Sequence, residues 1–324
     1  MPVRVGFIGT GLVAQLHLAN LARMEDVEIA ALCDISPEAL ARTQRLYGGR
    51  TYTDHREMLE RERLDCVYLC LPPFAHTGQE FAVIERGIPL FIEKPVALDL
   101  AYGRRVARAI EERGLLATVG YHWRYYDTVD RVRALLEART VGLVLGTWLG
   151  GIWRAPWWID KAKSGGQIVE QATHLFDLAR YLVGEIVAVS GLGYRGLVTD
   201  VPGYTLDDAT TVNLRFASGA IGTISATSAL GRGGRVGLHL IGRHLSIEIT
   251  PTLLRIGDAE KVVEYAPQTP PMEREDAAWI QAVRTGDPRG LRSTYRDALR
   301  TLAATLAATR SLEQNGAWLT PEEV

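Results

Sequence analysis

Glu170, His174, Asp177 and Tyr181 recur at i, i+4, i+7 and i+11, so on a helix they form a single polar stripe. A solvated face normally carries lysine and glutamate. This one carries carboxylates, an imidazole and a phenol, the groups that move protons in general acid–base chemistry. The same spacing describes a partly buried helix whose histidine is held between two acids, and periodicity leaves both readings open. A metal reading of Glu170 and His174 lacks a third ligand. Lys94 is the second chemically singular residue. It ends the apolar run 89–92 and is followed by Pro95. A lysine at the end of a buried strand can polarise an oxygen or relay a proton when partly desolvated, and a salt-bridged surface lysine fits as well.

A ligand for such groups is written at the start of the chain. Residues 3–8 are short, apolar and β-branched, as a buried strand requires. Gly9-Thr10-Gly11-Leu12-Val13-Ala14 follows at once, and Val13, Leu16, Leu21 and Met24 then recur at helical intervals. A second apolar run, 27–32, ends at Asp34. Strand, glycine turn, helix, strand and acid together make the dinucleotide fingerprint. Gly9 allows the tight turn, Gly11 lets the backbone approach a pyrophosphate, and Ala14 keeps helix and strand close. The first amides of the helix face the phosphates. Asp34 is placed to accept from ribose hydroxyls and to repel a 2′-phosphate, so NAD is expected ahead of NADP. Arg42 and Arg45 on the following helix are the cations that could still reach such a phosphate.

The elements that must position these residues alternate strand and helix up to residue 120. That pattern gives a doubly wound parallel sheet with helices on both faces, and ligands bind beyond the carboxyl ends of its strands. The segments to inspect are therefore 9–13, Asp34, 71–76, 93–95 and Tyr121-His122. The texture then changes. Residues 121–126 are aromatic and polar, and one helix is expected over 129–137. Trp148, Trp153, Trp157 and Trp158 follow in a glycine-rich stretch. Residues 167–182 read as one long helix. Short β-rich segments such as 210–216, 221–228 and 236–241 predict a largely antiparallel sheet, and two helices, about 275–285 and 295–311, close the chain. The expected division is a Rossmann domain over 1–120 and an α/β substrate domain over 121–324, with the C-terminal helix able to pack back on the first. Trp153, Trp157 and Trp158 could stack on the face of a ring-shaped ligand, and a core role fits each of them at least as well.

Bulk properties narrow the class. At 324 residues the chain exceeds one compact core. A net charge of −2 argues against nucleic-acid or anionic-membrane binding. No signal peptide is evident, and no apolar run reaches the length of a membrane span. Cys33, Cys66 and Cys70 all fall in or beside predicted buried strands, an odd number that points to reduced thiols in the cytoplasm. Cys66 and Cys70 lack a partner pair for zinc, so no metal is expected.

These residues together resemble the glucose-fructose oxidoreductase and inositol dehydrogenase family (Gfo/Idh/MocA) nearly end to end. The resemblance rests on Gly9 to Ala14, on Leu71-Pro72-Pro73 with His76, on Glu93-Lys94-Pro95, and on Gly165-Gly166 through Glu170-Gln171-Ala172-Thr173-His174 to Asp177. It implies a Rossmann domain followed by an α/β domain with an open sheet that often mediates oligomers, here a homodimer or homotetramer. It also implies reversible hydride transfer between NAD and a sugar, cyclitol or related polyol. Lys94 and His174 match the catalytic pair, one taking the hydroxyl proton and the other orienting the oxygen, with Glu170 and Asp177 expected to position the imidazole and hold further hydroxyls. The cofactor set would be Gly9, Thr10, Gly11, Leu12, Val13, Asp34, Leu71, Pro72, His76, Glu93 and Lys94, with His76 near the nicotinamide. Tyr121, Trp153, Trp157 and Asp177 would meet the substrate. Glu170 stands where the family often has aspartate, Pro73 where asparagine is common, and Ala172 where many members have glycine. A dinucleotide-sensing protein without turnover is the alternative; such members would be expected to lose the lysine or the histidine, and both are present.

Overall fold

The computed structural model describes residues 1–153 and 155–322. The chain forms two compact units, Met1–Tyr125 with Pro270–Ala298, and Tyr126–Thr269 with Leu299–Val324.

The first unit is built on six parallel strands, β1 (Val3–Ile8), β2 (Val27–Cys33), β3 (Arg50–Tyr52), β4 (Cys66–Leu69), β5 (Leu90–Ile92) and β6 (Ala117–Val119). Their order is β3-β2-β1-β4-β5-β6, the doubly wound arrangement in which the chain leaves the middle of the sheet in both directions. Helices α1 (Leu12–Leu21), α2 (Pro37–Tyr47), α3 (His55–Arg61), α4 (Gln79–Glu85) and α5 (Leu100–Glu112) connect them. Ser36, Asp54 and Asp99 cap α2, α3 and α5 through their side-chain oxygens, as their positions before apolar runs predict. On the sheet, Phe7, Tyr68 and Phe91 stack in a row at 4.8 and 4.6 Å.

Two local expectations change. The helix after β4 does not start directly beyond Pro72-Pro73 but at Gln79. Pro73–Ala75 makes a single tight turn and Gly78, at φ +131°, resets the chain, so His76 sits in a loop beyond β4. On α1 the buried face is Ala14, His17, Leu18 and Leu21, whereas Leu16 is 49% exposed. A buried histidine belongs to that face, so a search for apolar residues alone selects the wrong phase.

The unit also takes in α10 (Pro271–Thr285), where the expected division at residue 120 assigned this stretch to the second domain. Trp279 and Ile280 join the core of Leu18, Tyr68 and Phe91, and buried Asp276 carries the polar part of the contact.

The second unit opens with α6 (Asp127–Leu136) and β7 (Val141–Leu149), followed by α7 (Lys161–Ser164), α8 (Gln167–Glu170) and α9 (Thr173–Val183). Seven more strands follow: β8 (Ile186–Tyr194), β9 (Ala209–Phe216), β10 (Ile221–Thr227), β11 (Arg235–Gly242), β12 (Leu245–Ile249), β13 (Leu254–Asp258) and β14 (Val262–Tyr265). The sheet order is β14-β13-β12-β11-β7-β10-β9-β8, antiparallel at every pair except β7 with β10. Helix α9 packs on one face, where Gly146 of β7 leaves room for Ile224 of β10, whose side chain would lie 2.8 Å from a Cβ there. The other face of β9 carries exposed Thr211, Asn213 and Arg215. Helix α11 (Tyr295–Glu313) begins in the first unit and continues in the second.

The single helix expected over 167–182 is two. The amide of Ala172 reaches back to Gln167 O at 2.9 Å, a wider turn than an α-helix makes, and α9 starts afresh at Thr173. Glu170 therefore does not share one continuous stripe with His174, Asp177 and Tyr181.

Candidate active site

The glycine loop follows β1 at the carboxyl edge of the parallel sheet. Gly9 is glycine because the fold demands it. It lies at φ +91°, and a Cβ there would meet Cys70 O at 2.3 Å. Gly11 is different: its φ is −67°, and a Cβ would meet no heavy atom of the described residues within 4 Å. Nothing among the described residues forbids a side chain, so the position is a cradle that a Cβ would fill. Gly11 also starts α1 with no side-chain cap and no acid in its first turn, leaving the amides of Leu12 and Val13 available to an anion. Asp34 holds the loop in shape. Its Oδ2 accepts from Thr10 N at 2.8 Å and from the Thr10 hydroxyl at 2.9 Å, and its Oδ1 accepts from Ser36 N at 2.9 Å. A carboxylate oxygen takes more than one donor, so Oδ1 keeps capacity for a ribose hydroxyl.

Leu71 and Pro72 are half-buried beyond β4 and lead to His76. The His76 Nδ1 bonds Glu80 Oε1 at 2.5 Å, and the Tyr102 hydroxyl donates to Glu80 Oε2 at 2.6 Å. Glu80 is fully buried, yet its carboxyl is held below the usual range, because the hydrogen bonds and charge of His76 outweigh burial. The ring orientation is thereby fixed, and His76 Nε2 is buried without a hydrogen-bond partner among the described residues. Such an atom calls for a partner from outside the chain. Together with the Gly11 cradle, it fits the dinucleotide that the fingerprint predicts.

Lys94 follows β5, two strands from β1 on the same sheet edge, so the backbones are roughly 10 Å apart at about 4.8 Å per strand. Glu93 is buried and sets the turn: its Oε2 accepts from Lys94 N at 3.1 Å, and its Oε1 accepts from His17 Nε2 at 3.0 Å. His17 Nδ1 donates to Asp276 Oδ1 at 2.7 Å. Asp276 also accepts from Tyr68 at 3.0 Å and from Asn20 at 2.8 Å. Burial works against charge on His17, but the two carboxylates outweigh it and hold the imidazole well above its ordinary value. His122 goes the other way. Burial pushes it down to about 4, Glu93 opposes the shift, and the charges on Lys94 and His17 add to it. Tyr121 beside it is buried, with the Arg124 guanidinium 5.9 Å over its ring.

In the second unit His174 is buried on α9 and stacked on Trp148 of β7, ring centroids 5.9 Å apart and 17° from parallel. Glu170 is buried and accepts from the Trp158 indole at 2.7 Å. Trp158 is itself fully buried, so of its two readings it takes the core role and not that of a stacking surface. Trp153 and Trp157 are half-buried and meet edge to face at 5.4 Å. Asp177 has no exposed surface and accepts from the Thr301 hydroxyl at 2.9 Å, so this carboxylate ties α9 to α11. Tyr181 lies under the Arg133 guanidinium and accepts from it at 2.7 Å.

Sequence reasoning missed His17, Asp276, Glu80, Tyr102 and Trp148. His17 carried one usable signal, its place at i+3 from Ala14 and i−1 from Leu18 on the buried phase of α1. Glu80 carried another, its i+4 spacing from His76, whereas Asp276, Tyr102 and Trp148 are brought in by tertiary pairings. No cluster of three or more His, Cys, Asp and Glu is arranged to hold a metal among the described residues.

Comparison with known proteins agrees with this geometry. Residues 3–121 match the model of an oxidoreductase family with an NAD-binding Rossmann fold, and residues 129–248 match the C-terminal domain model of the same Gfo/Idh/MocA family. The rhizopine catabolism protein MocA of Rhizobium meliloti is 28% identical over 319 residues, covering 96% of both chains. Myo-inositol 2-dehydrogenase of Thermotoga maritima is 28% identical over 225 residues, covering 68% of this chain and 67% of its own. A levoglucosan dehydrogenase solved in complex with NADH superposes with a TM-score of 0.89 at 20% identity, covering all of both chains, and so shares the fold. The chain belongs to the Gfo/Idh/MocA family of oxidoreductases, whose first domain is an NAD-binding Rossmann fold.

Proposed function

We propose that this protein is an NAD(H)-dependent dehydrogenase of a polyhydroxylated substrate, a cyclitol or a sugar, with Lys94 and His174 as its proton-handling pair. The observation that carries the reading is the shared sheet edge of the Gly9–Gly11 loop and Lys94. A cofactor seated on the α1 amides runs along the edge on which the lysine stands. The relatives named as inositol 2-dehydrogenase and levoglucosan dehydrogenase support the substrate class.

When bound, NAD takes up or supplies the hydride. The residues of the chain do the rest. Gly11 and the first amides of α1 bind the pyrophosphate, and Asp34 accepts from the ribose and disfavours a 2′-phosphate. His76, locked by Glu80, offers Nε2 to the cofactor. Lys94 and His174 bind the reacting oxygen; one moves its proton while the other orients it. Stacking on Trp148 fixes the plane of the His174 ring. Tyr121, Trp153, Trp157 and Asp177 are the proposed substrate contacts; of these the half-buried Trp153–Trp157 pair has the more accessible surface.

We also propose that subunits pair through the open face of the eight-stranded sheet. Leu143 pairs with Ile221 and Ile241 there, Leu145 follows two residues on, and none of the four is fully buried. Sedimentation analysis giving a dimer or tetramer supports this, and a monomer at micromolar concentration opposes it. A cytoplasmic setting agrees with the three buried free thiols, and no described helix is long and apolar enough to cross a membrane. The test of the catalytic reading is turnover: Lys94→Ala and His174→Ala should each abolish most NAD reduction by a polyol that the wild type oxidises.

A further inference from the structure

We infer that His17 is a positioning residue for Lys94, acting through Glu93 from a helix whose other end of the network is anchored on Asp276. The inference rests on the reading of Lys94 as catalytic.

Every link is a short contact between buried groups. Asp276 gathers three donors, His17, Tyr68 and Asn20, at 2.7 to 3.0 Å. The imidazole is caged by aromatic rings, Phe91 at 5.0 Å and Tyr68 at 5.2 Å, so it has no room to turn. Its second nitrogen is thereby aimed at Glu93 Oε1, and the other oxygen of that carboxylate takes the Lys94 amide. Gly120 closes the pocket from β6. A Cβ on it would stand 2.4 Å from Glu93 Oε1, so glycine is what makes space for the carboxylate.

The arrangement is costly for stability alone. Two carboxylates and an imidazole are taken out of water where well-packed apolar residues would serve a core at least as well. What it achieves is a fixed Glu93. Without His17, one oxygen of that buried carboxylate would lack both a donor and a countercharge. The other oxygen takes the Lys94 amide, so a Glu93 carboxylate that shifts moves the backbone at Lys94 with it. His17 keeps that carboxylate, and through it the Lys94 amide, in place.

The experiment is a double-variant cycle on the full-length enzyme, using a polyol it oxidises. His17→Gln retains a donor for one carboxylate but not for both. Its kcat should fall by about 10- to 100-fold, the range for a small displacement of a catalytic group. The NAD dissociation constant should stay within about twofold, because the α1 loop and Asp34 are untouched. In a Lys94→Ala background the same substitution should cost no more than about twofold, because the residue it positions is gone. Gly120→Ala reaches the same carboxylate from the opposite side and should show the same loss and the same lack of effect without Lys94. This second variant keeps the test decisive if His17→Gln does not fold. Wild-type kcat in either folded variant, or an equal loss with and without Lys94, would overturn the inference. A fully active Lys94→Ala enzyme would instead overturn the reading on which it rests.

Discussion

Gly11→Val separates a structural glycine from a ligand-binding one. Gly11 has φ −67° and ψ −170°, extended backbone that valine adopts readily, and its Cβ would enter open space. The cost to the fold is that of a poorer helix start, about 1 kcal/mol. The cost to binding is larger. A pyrophosphate on the α1 amides makes charge-assisted hydrogen bonds worth about 1.5–3 kcal/mol each. A branched side chain in that cradle removes roughly two of them, which raises the NAD dissociation constant by about 10²–10⁴-fold at 1.4 kcal/mol per tenfold. Gly9→Ala is the contrast. With φ +91° and a carbonyl 2.3 Å from its Cβ, it should lower the melting temperature before any question of binding arises. Calorimetric titration with NAD, paired with thermal melting, reads both effects. A folded Gly11→Val protein with wild-type affinity would refute the reasoning and reduce the loop to a tight turn.

Other outcomes follow from the same geometry. NAD should bind at least tenfold more tightly than NADP in parallel titrations, because Asp34 is pinned by Thr10 and Ser36 and cannot swing away from a 2′-phosphate. Lys94→Ala and His174→Ala should each lower kcat by roughly 10²–10⁴-fold, with the double variant losing less than the product in steady-state assays. Glu170→Gln should be milder, since its amide oxygen can still accept from Trp158. His122 is held down to about 4 from 6.5, so the unfolded chain binds a proton first. Stability should therefore drop as pH falls from about 6.5 toward 4, and melting curves of His122→Asn should show a shallower slope there.

Much of the first unit was legible because local chemistry and global fold agree in it. The capping residues Ser36, Asp54 and Asp99, the strand-ending Asp34 and the Glu93-Lys94-Pro95 turn all stand where patterning put them. The nucleotide loop could be read residue by residue, since each glycine answers to a separate steric demand. The polar network beneath it could not. Asp276 is 259 residues from His17, and nothing local to either marks the pair. The 167–182 stretch misled for a related reason. Its periodicity is intact, but a wide turn at Ala172 breaks the helix, so Glu170 does not continue the stripe of α9. Trp148 was visible only as one tryptophan among several, because stacking on His174 depends on the pairing of α9 with β7.

The central claim is tested most directly by turnover. Purified wild-type protein and Lys94→Ala would each be mixed with NAD and a panel of cyclitols and sugars while the absorbance of reduced nicotinamide is followed. The account predicts steady formation of NADH by the wild type with at least one polyol, and a rate lower by two orders of magnitude or more in the variant. NAD binding without turnover on the whole panel, or equal rates in the two proteins, would contradict it.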